Sequence, residues 1–274
     1  MGVESQKYLI QNMERIIFSD LSDNSLLFVA EDLQSATMTN EQETVYATGK
    51  NGVRIGAADR NKQSNIEITN GTITDGAIAA AVGSEVEVGK HTIPNYFEIL
   101  TVATETNVQT ATTTYKAVGP TGKEIAYIYK RNSDGTQGDK YPIAAAASES
   151  AFKYDPATRK ITCPTGKFTA GDQLIVIYDM EATGSKKISN FENKYSKTGK
   201  LVADIWAKDI CTDKSYFGKI VYYKAKAQGN FNLAFGNDPS VQTMTFDALS
   251  GGCGSANNVL WDIFIFDEDD GVKA

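Results

Sequence analysis

The stretch LVADIWAKDI, Leu201–Ile210, sorts its side chains onto two sides. Leu201, Ala203, Ile205 and Ala207 fall on one, and Val202, Asp204, Trp206 and Lys208 on the other. A period of two marks a half-buried strand, because successive Cβ atoms of an extended chain point to opposite faces. Working outward, Ile220–Lys226, Phe231–Phe235 and Val259–Phe266 repeat the pattern. Gly218, Gly229, Gly236 and the cluster Ser250–Gly254 break it into lengths. Alternation bounded by glycine predicts an antiparallel meander through the last third of the chain.

The order of parts in that third is TGKLVADIWAKDIC, YFGKIVYYKAKAQGNFNLAFGNDP, FDALSGGC and LWDIFIFDED. It resembles the C-terminal half of the major tail tube proteins of long-tailed bacteriophages. A second stretch, AADRNKQSNIEITNGTITDGAIAAAVGSEVEVG, is similar to the same family: a strand, a short alanine-rich helix with an acidic start, then Gly-Ser and another strand. The resemblance implies a structural virion protein that performs no catalysis and needs no cofactor. It implies hexameric rings that stack into a tail tube, contacts with other tail proteins, and viral DNA passing through without specific binding. Assembly would take place in the host cytoplasm. Two other readings of a β-rich chain stand beside it: a capsid decoration or coat protein, and a carbohydrate-binding adhesive module.

Composition narrows the classes. With 274 residues the chain is long enough for one large β domain or two small ones. Hydrophobic residues at 41% and charged residues at 22% indicate a folded chain rather than a disordered one. A formal charge of −7 argues against a basic nucleic-acid reader, whose affinity comes from cations that neutralise phosphates. It does not argue against a wall past which DNA slides. MGVESQKYLIQNMERIIF intersperses charges among its apolar residues, so a secretory signal is not expected. No apolar run approaches the roughly 20 residues of a membrane span. Cys163, Cys211 and Cys253 are odd in number and form no CxxC pair, which points to reduced thiols, with a Cys211–Cys253 bridge as the alternative.

Along the chain, Tyr8, Leu9, Met13, Ile16 and Ile17 suggest a short helix or an arm, and Ser25–Leu33 a strand. Gln34–Asn51 lacks apolar periodicity and predicts a long loop or a protruding hairpin. Asn70–Gly83 predicts the one helix. Thr72 is its expected cap, Asp75 lies in the first turn, Ile73, Ala77, Ala80 and Ala81 form a small apolar face, and Gly83 ends it. Asp134-Gly135 and Asp155-Pro156 mark turns between short strands of a middle region. The fold class that follows is mainly β: a tail-tube-like β-sandwich or barrel core with one short α-helix and a β-rich, immunoglobulin-like middle segment. The expected division is 1–109 and 186–274 for the two parts of the core, with 110–185 as the middle segment.

Catalytic signatures fail on spacing. His91 is the single histidine, beside a proline-containing turn, and gives no partner for a proton relay. Thr-Gly-Lys recurs at 48–50, 121–123, 165–167 and 198–200. A phosphate loop needs a glycine five positions before the Gly-Lys, where Ala117 and Ile161 stand for two of these, and a hydroxyl after it, where Glu124 and Phe168 stand. No GxSxG elbow occurs, and one histidine with three scattered cysteines is no zinc set. The acidic tail Asp267–Gly271 lacks the glycine and glutamate positions of a calcium loop.

A wall for DNA should be free of cations and therefore acidic. Alternation singles out Glu67 between Ile66 and Ile68, Glu85 and Glu87 against Val86 and Val88, and Asp204 beside Trp206 as channel-facing candidates. Lys224 and Lys226, on one face of a later strand, could fall on the same wall by the same reasoning.

Overall fold

The alternation at Leu201–Ile210 becomes a strand at the centre of an eight-stranded antiparallel sheet. In the computed structural model, which describes residues 7–233, 240–250 and 258–267, the chain forms two units. One comprises residues 1–86 and 188–274, the other Glu87–Lys187. The expected middle segment began at 110; the observed unit begins earlier because the strand Glu87–Thr101 pairs along its length with Gln173–Lys187.

The first unit holds β1 (Tyr8–Asp20), β2 (Leu26–Ala30), β3 (Leu33–Thr48), β4 (Arg54–Asn70) and α1 (Asp75–Val82). The second holds β5 (Glu87–Thr101), β6 (Ala103–Glu105), β7 (Val108–Thr112), β8 (Ala117–Val118), β9 (Tyr127–Arg131), β10 (Gln137–Pro142), β11 (Lys153–Asp155), β12 (Lys160–Thr162) and β13 (Gln173–Lys187). The chain then returns to the first unit with β14 (Thr198–Asp209), β15 (Ser215–Ala227), β16 (Gln242–Ala248) and β17 (Asp262–Phe266).

In the first unit the strand order is β2-β1-β14-β15-β16-β4-β3, with β17 added on β15. β1 and β3, far apart in that order, approach each other, so the sheet curls around its core. A groove of about 400 Å³ marks the seam, lined by Ile10–Met13 of β1, Leu33–Ala36 of β3, and Ile205 and Ile220. Inside the curl Phe18, Phe28 and Phe246 stack with centroids 5.1–6.2 Å apart. Ile16, Ile66, Leu201 and Tyr222 complete a fully buried centre. Tyr8–Met13, expected as a helix or arm, is instead strand, because it pairs with Met13-to-Tyr8 partners Ile205–Asp209 of β14.

The helix is shorter than expected. Thr72 does not cap it: its hydroxyl donates to Asp32, and Thr74 occupies the cap position without a side-chain bond to the helix. The Thr74 N–H donates instead to Gln242 Oε1 of β16. Ile73 lies outside the helix and is exposed, whereas Ala77 and Ala80 join the core. Gly83 ends the helix in the left-handed conformation, φ 70°, as its position predicts.

The second unit is a two-layer sandwich. One layer is β10-β9-β13-β5 with β8 on β13, the other β11-β12-β7-β6. Leu174, Val176 and Ile128 of the first meet Ile161, Tyr154 and Ala111 of the second in one core. Both expected turns are realised. Asp134 accepts from the Thr136 N–H between β9 and β10, and Asp155 from the Ala157 N–H between β11 and β12. A buried knot ties β13 and β5 to the connection after β7: the Tyr178 hydroxyl donates to Glu98, which also accepts from the Thr114 N–H. Burial is the chief reason the Tyr178 phenol is held protonated well above its ordinary range.

Candidate functional site

Three strands of the first unit carry a surface distinct from the rest. Register places Thr243, Thr245 and Asp247 of β16 beside Thr69, Glu67 and Asn65 of β4, and those beside Ser35, Thr37 and Thr39 of β3. The intervening residues Ile66, Ile68, Met244 and Phe246 are buried, so these nine side chains share the outer face. Seven are neutral and mostly hydroxyl-bearing, two are carboxylates, and none is a cation. Lys226 borders the face opposite Asp247, but its ammonium is tied to the Ser196 carbonyl.

The neighbouring half of the same sheet is unlike it. Trp206, Phe217 and Phe266 form an edge-to-face aromatic row across β14, β15 and β17. Glu14 pins Trp206 by accepting from the indole N–H at 3.0 Å. Asp204 lies next to that row between two cations, 3.0 Å from Arg15 and 2.5 Å from Lys219.

The four residues picked from the sequence therefore part company. Glu67 is exposed at the middle of the hydroxyl-rich face, flanked by Thr37 and Thr245. Asp204 shares the sheet but has a 5% exposed side chain with two cationic partners, so it presents no bare charge. Glu85 stands exposed after α1, 4.0 Å from Lys197. Glu87 opens β5 in the other unit and pairs with Lys187 at 3.2 Å and His91 at 3.6 Å. The Lys187 hydrogen bond is the main reason its carboxyl is held below the usual range. Glu85 and Glu87, read as one strand, belong to different units. The hydroxyl residues around Glu67 went unrecognised because Gln34–Asn51 reads as aperiodic. The signal was present in Ser35-Ala36-Thr37-Met38-Thr39, where Ala36 and Met38 turn to the core.

The second feature is the hairpin β3–β4. Its strands remain paired from Leu33↔Asn70 to Thr48↔Arg54 and turn at Lys50–Gly52. From Asn40 to Gln63 no residue is buried. Polar pairs staple this arm: Gln63 to Glu41, Asn61 and Arg60 to Glu43, and Thr44 to Asp59, at 2.5–2.9 Å. The arm is thus an ordered hairpin with neither face covered. β3 is also an edge strand, as is the Tyr8–Met13 part of β1, since β2 pairs only with Ile16–Ser19. Long open edges are templates for pairing with another chain.

Among the described residues no group of three or more His, Cys, Asp or Glu is placed to hold a metal, and no helix is long and apolar enough to cross a membrane. His91 bonds to Ser185 at 2.8 Å within the second unit. Cys253, most of the Ser250–Gly254 cluster, Gly236 and the tail beyond Asp267 lie outside the described residues. A search of curated proteins returns no match. The family model described as YomU/Tube protein family matches residues 8–260. A match over nearly the whole chain, on a mainly β fold with the expected helix, shows that this protein belongs to the YomU/Tube family, a phage tube-like structural protein.

Proposed function

We propose that the chain is the repeating subunit of a phage tail tube, stacking as hexameric rings around a DNA-conducting channel in the virion. The observation that carries this reading is the outer face of β16, β4 and β3. Duplex DNA binds wherever lysine or arginine displaces its counterions. A surface that must pass DNA without holding it should offer small polar groups and a few like charges. Threonine, serine and asparagine around Glu67 and Asp247 have that chemistry. Glu67 is the channel-facing residue of the proposal. Asp204, neutralised by Arg15 and Lys219, is left as a structural charge, and Glu85 and Glu87 serve the surfaces around their own ion pairs.

Open strand edges and the uncovered arm supply the means of self-association. The protein needs no cofactor in this role, and it assembles in the host cytoplasm before joining other tail proteins. The test is charge reversal on the wall. Glu67→Lys with Thr37→Lys and Thr245→Lys should leave tails intact while genome delivery falls at least tenfold. Normal delivery from tails carrying all three lysines removes this face from the channel.

A further inference from the structure

The chain enters the second unit at Glu87 and leaves it at Lys187, and these two residues face each other in register. From Glu87 to Thr92, and from Glu181 to Lys187, β5 and β13 pair only with each other. β8 joins β13 at Asp179 and Met180, and β9 joins it at Gln173–Val176. The root of the unit is therefore a two-stranded ribbon, interrupted between Ala182 and Ser185. Two strands alone are marginally stable, so side-chain bonds decide how well the ribbon holds. One set of bonds spans it. His91 Nδ1 lies 2.8 Å from Ser185 Oγ, His91 Nε2 3.6 Å from Glu87, and Glu87 3.2 Å from Lys187. The His91 side chain is 17% exposed, far less than the charged groups around it.

Counting hydrogens fixes the direction of these bonds. The Ser185 hydroxyl has one proton, and the carbonyl oxygens of Gly89 at 3.1 Å and Ala182 at 3.3 Å accept it. Its oxygen is then free to accept from an Nδ1–H of His91. A neutral imidazole has a single N–H, so Nε2 would turn a bare lone pair toward the Glu87 carboxylate. In the other tautomer Ser185 must donate to Nδ1, and both carbonyls lose their donor. Only the imidazolium satisfies every group. We propose that His91 is a proton-operated clasp on the root of the second unit: its imidazolium bridges Glu87 and Ser185 and holds the two strands together. The sign follows from linkage. The protonated ring is the better bonded one in the closed ribbon, so the clasp holds below the histidine range and loosens as pH rises through it. Glu87 is the anion beside the ring, with Lys187 across the ladder from it. Lys90 and Glu181, which flank His91 and Ala182 along the strands, neutralise each other at 2.8 Å. The Lys187 hydrogen bond holds the Glu87 carboxyl below its usual range, so Glu87 stays ionised where histidine takes its proton. At pH low enough to protonate Glu87 the clasp fails again.

His91 is the single histidine, so nitrogen NMR of its ring in the full chain reports on one site. At pH 9 the neutral ring should keep its proton on Nδ1, and a proton on Nε2 overturns the bonding scheme. Hydrogen exchange, corrected for the intrinsic effect of pH, then reads the clasp. The Val88–Thr92 and Ser185–Lys187 amides should be at least about threefold better protected at pH 5.5 than at pH 8.5, the change that half a pH unit of coupling produces. His91→Asn should abolish that ratio, and Glu87→Gln should reduce it. Ser185→Ala keeps the ring and separates the clasp from a general loss of packing. It should reduce the ratio while exchange in Leu174–Tyr178 stays as in wild type. Equal protection at the two pH values overturns the proposal, as does a ratio that persists in His91→Asn or is unmoved by Ser185→Ala.

Discussion

Glycine occupies one position inside α1 and the one that ends it, and at both any side chain would collide. A Cβ on Gly76 would come within 2.5 Å of the Leu27 carbonyl oxygen, and one on Gly83 within 1.9 Å of the Tyr195 carbonyl oxygen. The first explains a helix-weakening residue inside the helix: close approach to β2 requires it. The second adds a left-handed φ that costs an L-residue about 1–2 kcal/mol before any clash. Gly83→Ala should therefore destabilise the first unit by about 2–4 kcal/mol in urea denaturation, within the range of severe single substitutions. The helix end was legible in the sequence from Gly83 alone. The cap was not, because the N–H groups at the helix start are satisfied in part by Gln242, 168 residues away. The thiols differ as sharply. Cys211 is exposed, while burial pushes the Cys163 thiol up to about 12. Only the thiolate reacts, so at pH 8 Cys163 is almost wholly protonated as well as inaccessible. In a Cys253→Ser background, a thiol reagent at pH 8 should label one cysteine rapidly and the second only after denaturation. Rapid labelling of both in the folded chain would contradict the placement of Cys163.

At the scale of elements, period-two patterns read correctly wherever one face meets a core. β14 and the Leu174–Tyr178 part of β13 are the examples. The pattern fails in the arm, because a strand exposed on both sides has no apolar side to reveal it. Gln34–Asn51 looked like a loop or a hairpin for that reason, and pairing with Arg54–Asn70 decides for the hairpin. Removing Thr39–Thr48 alone would strip one strand and leave its partner unpaired. Replacing residues 42–62 by Asn-Gly joins Glu41 to Gln63, which already face each other in register. The shortened chain should melt within a few degrees of wild type, since the excised residues touch no core, yet fail to polymerise. Tubes of normal yield from it would deny the arm any part in assembly.

For the whole molecule, the mainly β class and the core built from both ends of the chain were legible, since Leu201–Ile210 and Ile66–Ile68 carry clear alternation. The limits of the second unit were not. β5 reads as a continuation of the first region until its pairing with β13 is seen, and partners as far apart as Glu87 and Lys187 leave no local mark in sequence. The charge pattern was only partly legible. Alternation identifies a carboxylate on the outer side of a sheet but not whether cations neutralise it, which separates Glu67 from Asp204. The molecule offers open edges, an uncovered arm and a face of hydroxyl groups and carboxylates bordered by Lys226. If these surfaces build a tube, electron microscopy of the purified wild-type chain at increasing concentration should show hollow stacked rings with six-fold symmetry and β16, β4 and β3 toward the axial channel. A chain that stays monomeric at millimolar concentration, even with tail initiation components added, would show that they do not.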